Sequence, residues 1–99
     1  MKKDLFQIIK SEDVVLIELV NANCEPCAMN EPILQQVKNT LGKRVEIIIL
    51  AIDEVPEFVK LYHIETAPTI VCFQNSQLIW RSSEVLSKQQ ILQKIVDIV

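Results

Sequence analysis

The apolar positions of the chain repeat with two different periods. Two runs, Val14–Val20 and Val45–Ile52, are almost continuously apolar and rich in β-branched residues, the pattern of strands covered on both faces. The first is interrupted once, by Glu18. Two shorter runs, Thr69–Phe73 and Leu78–Arg81, flank Gln74-Asn75-Ser76-Gln77 and read as a hairpin. Elsewhere the spacing is helical. A short helix is expected over Lys2–Ser11, with Leu5, Phe6, Ile8 and Ile9 on its apolar side. Asn21-Ala22-Asn23 is a turn, and a helix then runs from Glu25 to Leu41. Pro26 suits its first turn, Pro32 should kink it and Gly42 stops it. Asp53 ends the second long strand, and Pro56–Tyr62 is a third helix. Ser87 caps a last helix with Ile91, Leu92, Ile95, Val96, Ile98 and Val99 as its buried stripe.

The order is α-β-α-β-α-β-β-α. The first two strands are joined through a helix and should be parallel, with a right-handed crossover; the hairpin adds an antiparallel edge. The two-sided apolar character of Val45–Ile52 predicts a central or well-covered strand. The 99 residues suit one compact domain, 1–99. Aromatic residues are only 5% of the chain against 49% apolar, so the core must be aliphatic. With one glycine in the whole chain, the turns must rely on Asn, Asp and Ser.

A net charge of −3 without a basic cluster argues against nucleic-acid binding. No segment approaches the ~18 apolar residues of a membrane span. The opening Met1-Lys2-Lys3 is followed by an apolar stretch broken by Asp4, Gln7 and Lys10, which does not read as a secretory signal. A cytoplasmic protein is therefore expected.

Three cysteines make one close pair and one bystander rather than a disulfide framework. Cys24-Glu25-Pro26-Cys27 stands where a strand gives way to a helix. Two sulfurs three residues apart at a helix N-terminus can close a small disulfide ring. The thiolate is the reactive form, and a helix N-terminus stabilises an anion by ~0.3–1 kcal/mol, or ~2 when partly buried, which lowers a thiol pKa by roughly one. Cys24, exposed in the turn, is the expected nucleophile. Cys27, inside the first helical turn, is the thiol expected to resolve the mixed disulfide. A zinc site would need a second pair of ligands, and the chain offers only Cys72 and His63. Cys72 in its apolar strand reads as a small core residue, His63 as a helix-end residue, and Trp80 as partial cover for the core.

These motifs resemble the thioredoxin family. Asn23-Cys24-Glu25-Pro26-Cys27 matches its active-site segment. Pro32 stands five residues beyond the second cysteine, as its helix proline does. Thr66-Ala67-Pro68-Thr69 matches the family's cis-proline segment before a strand, and Asp53 and Tyr62 match two further positions. The resemblance implies a thioredoxin fold, an α/β architecture with a central four-stranded mixed sheet flanked by helices and the family's N-terminal strand missing. It implies a thiol–disulfide oxidoreductase that needs no cofactor beyond the redox-active Cys24–Cys27 pair and holds no metal. Disulfide-containing proteins would be its substrates, and a reductase such as thioredoxin reductase its electron donor. Pro68 would keep the backbone beside the sulfurs open, and Ala67 would offer its N–H and C=O to an extended substrate; an ordinary turn proline is the alternative. Glu18 holds the place of the family's buried Asp, six residues before the first cysteine. Its implied role is proton exchange with Cys27, with burial raising its pKa; a solvated acid at a strand end is the alternative.

Several positions depart from the family. Asn23 replaces a Trp, Glu25 a Gly, Ala28 a Lys, and Ile49 the Lys that pairs with the buried acid. Ser76 and Glu84 replace two glycines of the substrate surface. Two positive charges are lost and negative charge is added, which opposes the helix's effect on Cys24. Cys24 is therefore expected to be less acidic than in a typical thioredoxin, which favours a reducing role. The substrate rim, formed by Asn23, Glu25, Pro26, Ala67, Pro68 and Glu84, is expected to prefer disulfides with basic or neutral flanks. A competing function is a thioredoxin-fold adaptor with little reductase activity. A peroxide-scavenging thiol enzyme is disfavoured, because no Arg or Thr partner stands near Cys24.

Overall fold

The computed structural model describes residues 4–98; of the positions singled out above, Met1, Lys2, Lys3 and Val99 lie outside the described residues. The elements are α1 (Leu5–Ile8), β1 (Val14–Val20), α2 (Glu25–Leu41), β2 (Val45–Ala51), α3 (Pro56–Leu61), β3 (Thr69–Gln74), β4 (Gln77–Ser82) and α4 (Lys88–Val96). They form a four-stranded mixed sheet in the order β2-β1-β3-β4. β1 is parallel to β2, with Glu18 opposite Ile49, and antiparallel to β3, with Glu18 opposite Ile70 and Leu19 opposite Thr69.

The centre of the sheet is β1, and β2 lies on its edge, so of the two readings of its apolar run, central or well covered, the second holds. Its face-by-face packing explains the cover. Val45 and Ile47 turn toward the α2 layer, while Ile48 and Leu50 turn toward α3. Hydropathy reports such two-sided cover but not whether the lateral backbone edge is paired. The edge leaves Glu46 exposed and Ile49 39% exposed.

Alternation along β1 divides the core. Val14 and Leu16 pack with Leu34, Val37 and Leu41 of α2 and with Ile91 and Ile95 of α4. Val15, Ile17 and Leu19 pack on the other side with Leu5, Phe58, Ile64 and Phe73. Cys72 and the half-buried Trp80 join the first cluster, and Lys94 Nζ stands 5.3 Å from the centroid of the Trp80 ring. α4 is shorter than its predicted stripe: Ile91 and Ile95 are buried, but Val96 is 56% exposed in the last turn.

With one glycine available, polar residues take the left-handed positions. Asn75 and Ser76, at φ 53° and 68°, form the two-residue β3–β4 turn, the positive pair that a tight hairpin requires. Their N–H groups donate to the carbonyls of Ser11 and Ile9, so the end of α1 is fixed against the hairpin. α1 itself is four residues long, capped by Asp4, and so shorter than Lys2–Ser11. His63 takes φ 53° just past α3. The N–H of His63 donates to Lys60 and that of Ile64 to Val59, a Schellman closure with histidine where glycine is usual. Gly42, at φ 59°, ends α2, and Lys38 Nζ donates to the carbonyls of Gly42 and Val45. Among the described residues no helix is long and apolar enough to cross a membrane.

Candidate active site

Parallel pairing with β2 and antiparallel pairing with β3 bring three chain segments to one end of the sheet. β1 leaves it at Val20 toward Cys24, β3 enters it at Thr69 just after Pro68, and β4 leaves it at Ser82 toward Glu84. The intervening turns hold themselves in place. Thr69 Oγ1 donates to the Thr66 carbonyl at 2.6 Å and lies 3.1 Å from Ser83 Oγ, and the Glu84 N–H donates to Ser82 Oγ. The Ala67–Pro68 peptide bond is cis. Pro68 is buried, Ala67 is half-buried, and Glu84 is exposed.

Asn23, exposed at φ 58°, turns the chain from β1 into α2; asparagine tolerates this conformation better than most residues. Cys24 follows in extended conformation as the N-cap of α2, with Glu25 and Pro26 in the first turn. Pro26 has no N–H to leave unpaired there. Cys24 and Cys27 form a disulfide with their Cα atoms 5.2 Å apart. The Cys27 N–H donates to Cys24 Sγ at 3.1 Å, so the helix opening points a donor at the outer sulfur. The two sulfurs are not equivalent. Cys24 is half-buried and Cys27 is buried. An attacking partner reaches Cys24 first, while Cys27 faces the interior.

Glu18 is 0% exposed, so it is not a solvated acid at a strand end. It follows Val14 and Leu16 on the face of β1 that packs against α2. Burial pushes its pKa up from 4.5 to about 7; the nearby Asn30 side chain lowers it and the Glu31 carboxylate raises it further. Asn30 is also 0% exposed. No hydrogen bond is formed by either Glu18 carboxyl oxygen or by the Asn30 amide. The amide is thus close enough to favour the charged carboxylate without making a well-formed hydrogen bond to it.

Sequence reasoning did not single out Asn30, although a signal was present. Cys27, Asn30, Leu34, Val37 and Leu41 are the buried positions of α2, spaced three or four apart. An asparagine inside that stripe is a polar side chain that has to be buried. Cys72, by contrast, is a free thiol inside the core with its pKa pushed up to about 12 by burial, and it takes no part in the disulfide.

Beside the disulfide lies an open cleft lined by Val20, Asn21, Asn23, Ala28, Glu25 and Glu31 together with the two cysteines. Its charged groups are both carboxylates. The exposed Glu25 stands between the sulfurs and Glu31 one helical turn beyond Cys27.

The sequence model of the thioredoxin family matches residues 1–97. A chloroplastic thioredoxin Y from rice is 31% identical over 86 residues, covering 87% of this chain and 51% of that one. A thioredoxin-like protein from Synechocystis is 31% identical over 81 residues, covering 82% and 77%. This chain therefore spans about half the length of the rice protein and most of the cyanobacterial one. The structure of mitochondrial thioredoxin 3 from Saccharomyces cerevisiae superposes with a TM-score of 0.83 over 95% of this chain and 87% of that one, at 24% identity. All four strands and the helix that carries the disulfide fall within the matched span, and the chain belongs to the thioredoxin family.

Proposed function

We propose that this chain is a thiol–disulfide oxidoreductase that reduces protein disulfides. The observation that carries this reading is the asymmetric disulfide at the opening of a 17-residue helix, its outer sulfur half-buried and its inner one buried. In the reduced protein, the Cys24 thiolate attacks one sulfur of a substrate disulfide. A mixed disulfide forms, and the other substrate sulfur leaves and takes up a proton. Cys27, giving its proton to the Glu18 carboxylate, then attacks Cys24 Sγ. The second substrate thiolate leaves and is protonated, and the Cys24–Cys27 disulfide is restored. A carboxyl with a pKa of about 7 suits this exchange at neutral pH, because it is present in both forms. Two electrons and two protons pass to the substrate, and an external reductase of the thioredoxin reductase type returns them. No cofactor beyond the cysteine pair enters the cycle.

Pro68 and Ala67, at the end of the sheet where the disulfide helix begins, are the proposed docking edge for an extended substrate segment. Asn23, Glu25, Pro26 and Glu84 form the rest of its rim. The carboxylates of Glu25, Glu31 and Glu84 favour substrates whose disulfide has basic or neutral flanks. The cytoplasm is the compartment this reading favours, since a reducing environment keeps both the working pair and Cys72 as thiols between turnovers.

The test is reduction of a model protein disulfide with dithiothreitol as recycling reductant. The intact protein should accelerate it, Cys24→Ser should abolish the acceleration, and Cys27→Ser should accumulate the mixed disulfide. An intact protein whose disulfide opens and closes normally, yet which adds nothing to the rate of dithiothreitol alone, would instead identify an adaptor.

A further inference from the structure

We propose that Asn30 is a positioning residue for Glu18, holding its carboxyl toward Cys27 in both protonation states. The proposal rests on the oxidoreductase reading for its purpose, but not for its geometry. Three buried side chains lie on the facing surfaces of β1 and α2: Glu18 and Asn30, each 0% exposed, and Cys27, 5% exposed. Cys27 and Asn30 are three residues apart on one helix and share a face. Four polar atoms, both Glu18 oxygens and both amide heavy atoms of Asn30, are buried without a hydrogen bond. Orphaned buried polar groups are rare and destabilising, and these two pairs are complementary.

The surroundings leave few other partners. Ile49 stands opposite Glu18 on β2 and Ile70 on β3, and neither bears a polar side chain. From α2, Asn30 and the charged Glu31 act on the carboxyl. The cluster lining the remainder of that face, with Ile91 and Ile95 from α4, is apolar apart from the Trp80 indole N–H, which is also buried without a partner. Glu31 is thus the charged group acting on Glu18, and it carries the same sign. Ile49 on the neighbouring strand offers the acid no cation.

An amide suits this place in a way that a lysine does not. Its NH2 donates to a carboxylate, and its C=O accepts from a protonated carboxyl, so a single side chain serves both forms. Lysine is a donor only and would hold the anion alone. A group that must accept a proton from Cys27 and return it is best held by a partner that bonds both forms, the charged one more strongly. The amide already biases the carboxyl toward its charged form.

The experiment is a pH titration of the Glu18 side-chain carboxyl by carbon-13 NMR in the oxidised protein, which needs no substrate. The midpoint should lie near 7 in the parent protein. In Asn30→Leu, which keeps the volume and removes both polar atoms, it should rise by about one pH unit. The acid limb of the rate of mixed-disulfide resolution should move up with it. Should Asn30→Leu not fold, Asn30→Ala gives the same readout. A Glu18 midpoint unchanged in the folded variant would overturn the proposal, because a purely structural asparagine alters stability without moving that titration. The two readings fail separately. Absence of reductase activity with a shifted midpoint removes the oxidoreductase function and leaves the pairing, whereas full activity with a fixed midpoint removes the pairing alone.

Discussion

The two faces of the sheet are built on the same strand and differ in what they bury. On one, Val15, Ile17 and Leu19 meet an aromatic group in which Phe58 lies 4.7 Å from Tyr62, 5.8 Å from Phe73 and 5.9 Å from Phe6, ring centre to ring centre. On the other, Val14 and Leu16 begin an equivalent apolar surface, but Glu18 and Asn30 interrupt it beside Cys27. The first face contributes stability only. The second buries an ionisable group, and its energetics must therefore depend on pH.

The largest effect belongs to the aromatic face. Phe58 is 1% exposed, and Phe58→Ala removes a ring packed on three others, which should destabilise the protein by ~3–5 kcal/mol in urea denaturation of the oxidised form. The rate of disulfide reduction per folded molecule should not change. A loss of that rate in the folded fraction would break the division between the faces.

On the other face the expected effect is a slope. The carboxyl of Glu18 titrates near 4.5 when unfolded and near 7 when folded. Between those values the native state holds a proton that the unfolded state releases, so stability from this group falls as pH rises. It is undiminished below pH 4.5 and fully lost above 7. The shift corresponds to about 3 kcal/mol. Glu18→Gln removes the titration, so its stability relative to the parent should improve by about 3 kcal/mol between pH 4 and pH 8, while resolution of the mixed disulfide slows. A constant gap across that range would mean that Glu18 is not held in an apolar environment.

This difference between the faces was only half legible in the sequence. The ends of β1 and α2 follow from a β-branched run, from Pro26 in the first helical turn and from Gly42 at the stop, all local signals. The burial of Glu18 was open, because a lone acid in an apolar run fits both a buried group and an emerging strand end. Packing against α2 decides between them. The edge position of β2 was hidden because apolar side chains record cover above and below, not lateral pairing. Asn30 escaped notice because asparagine is ordinary on a helix, and only the stripe of Cys27, Leu34, Val37 and Leu41 on either side of it marks its face as the buried one.

A smaller perturbation reaches the site-bearing face from its far helix. Ser87 Oγ accepts from the Gln90 N–H at 3.1 Å, and the Gln90 side chain accepts from the Ser87 N–H at 2.8 Å. Losing this reciprocal cap in Ser87→Ala should destabilise the protein by about 1 kcal/mol. The Glu18 midpoint should stay where it is, since the cap stands at the end of α4 and not among the groups facing the carboxyl. Movement of that midpoint would show that α4 packing tunes the acid.

The smallest effect should be a gain. His63 closes α3 at φ 53°, a conformation that disfavours an L-residue by ~1–2 kcal/mol and glycine hardly at all. Its imidazole is exposed, so little packing is lost on removing it, while its backbone N–H still donates to Lys60. Glycine loses more chain entropy on folding, by roughly 0.5–1 kcal/mol, which offsets part of the relief. His63→Gly should therefore raise stability by about 0.5 kcal/mol in urea denaturation. The residue adjoins Ile64 of the aromatic face, so the kinetics of Cys24 and Cys27 should be untouched. Altered reduction kinetics in this variant would mean that strain at the end of α3 is transmitted through the sheet to the disulfide, and that the two faces are one mechanical unit.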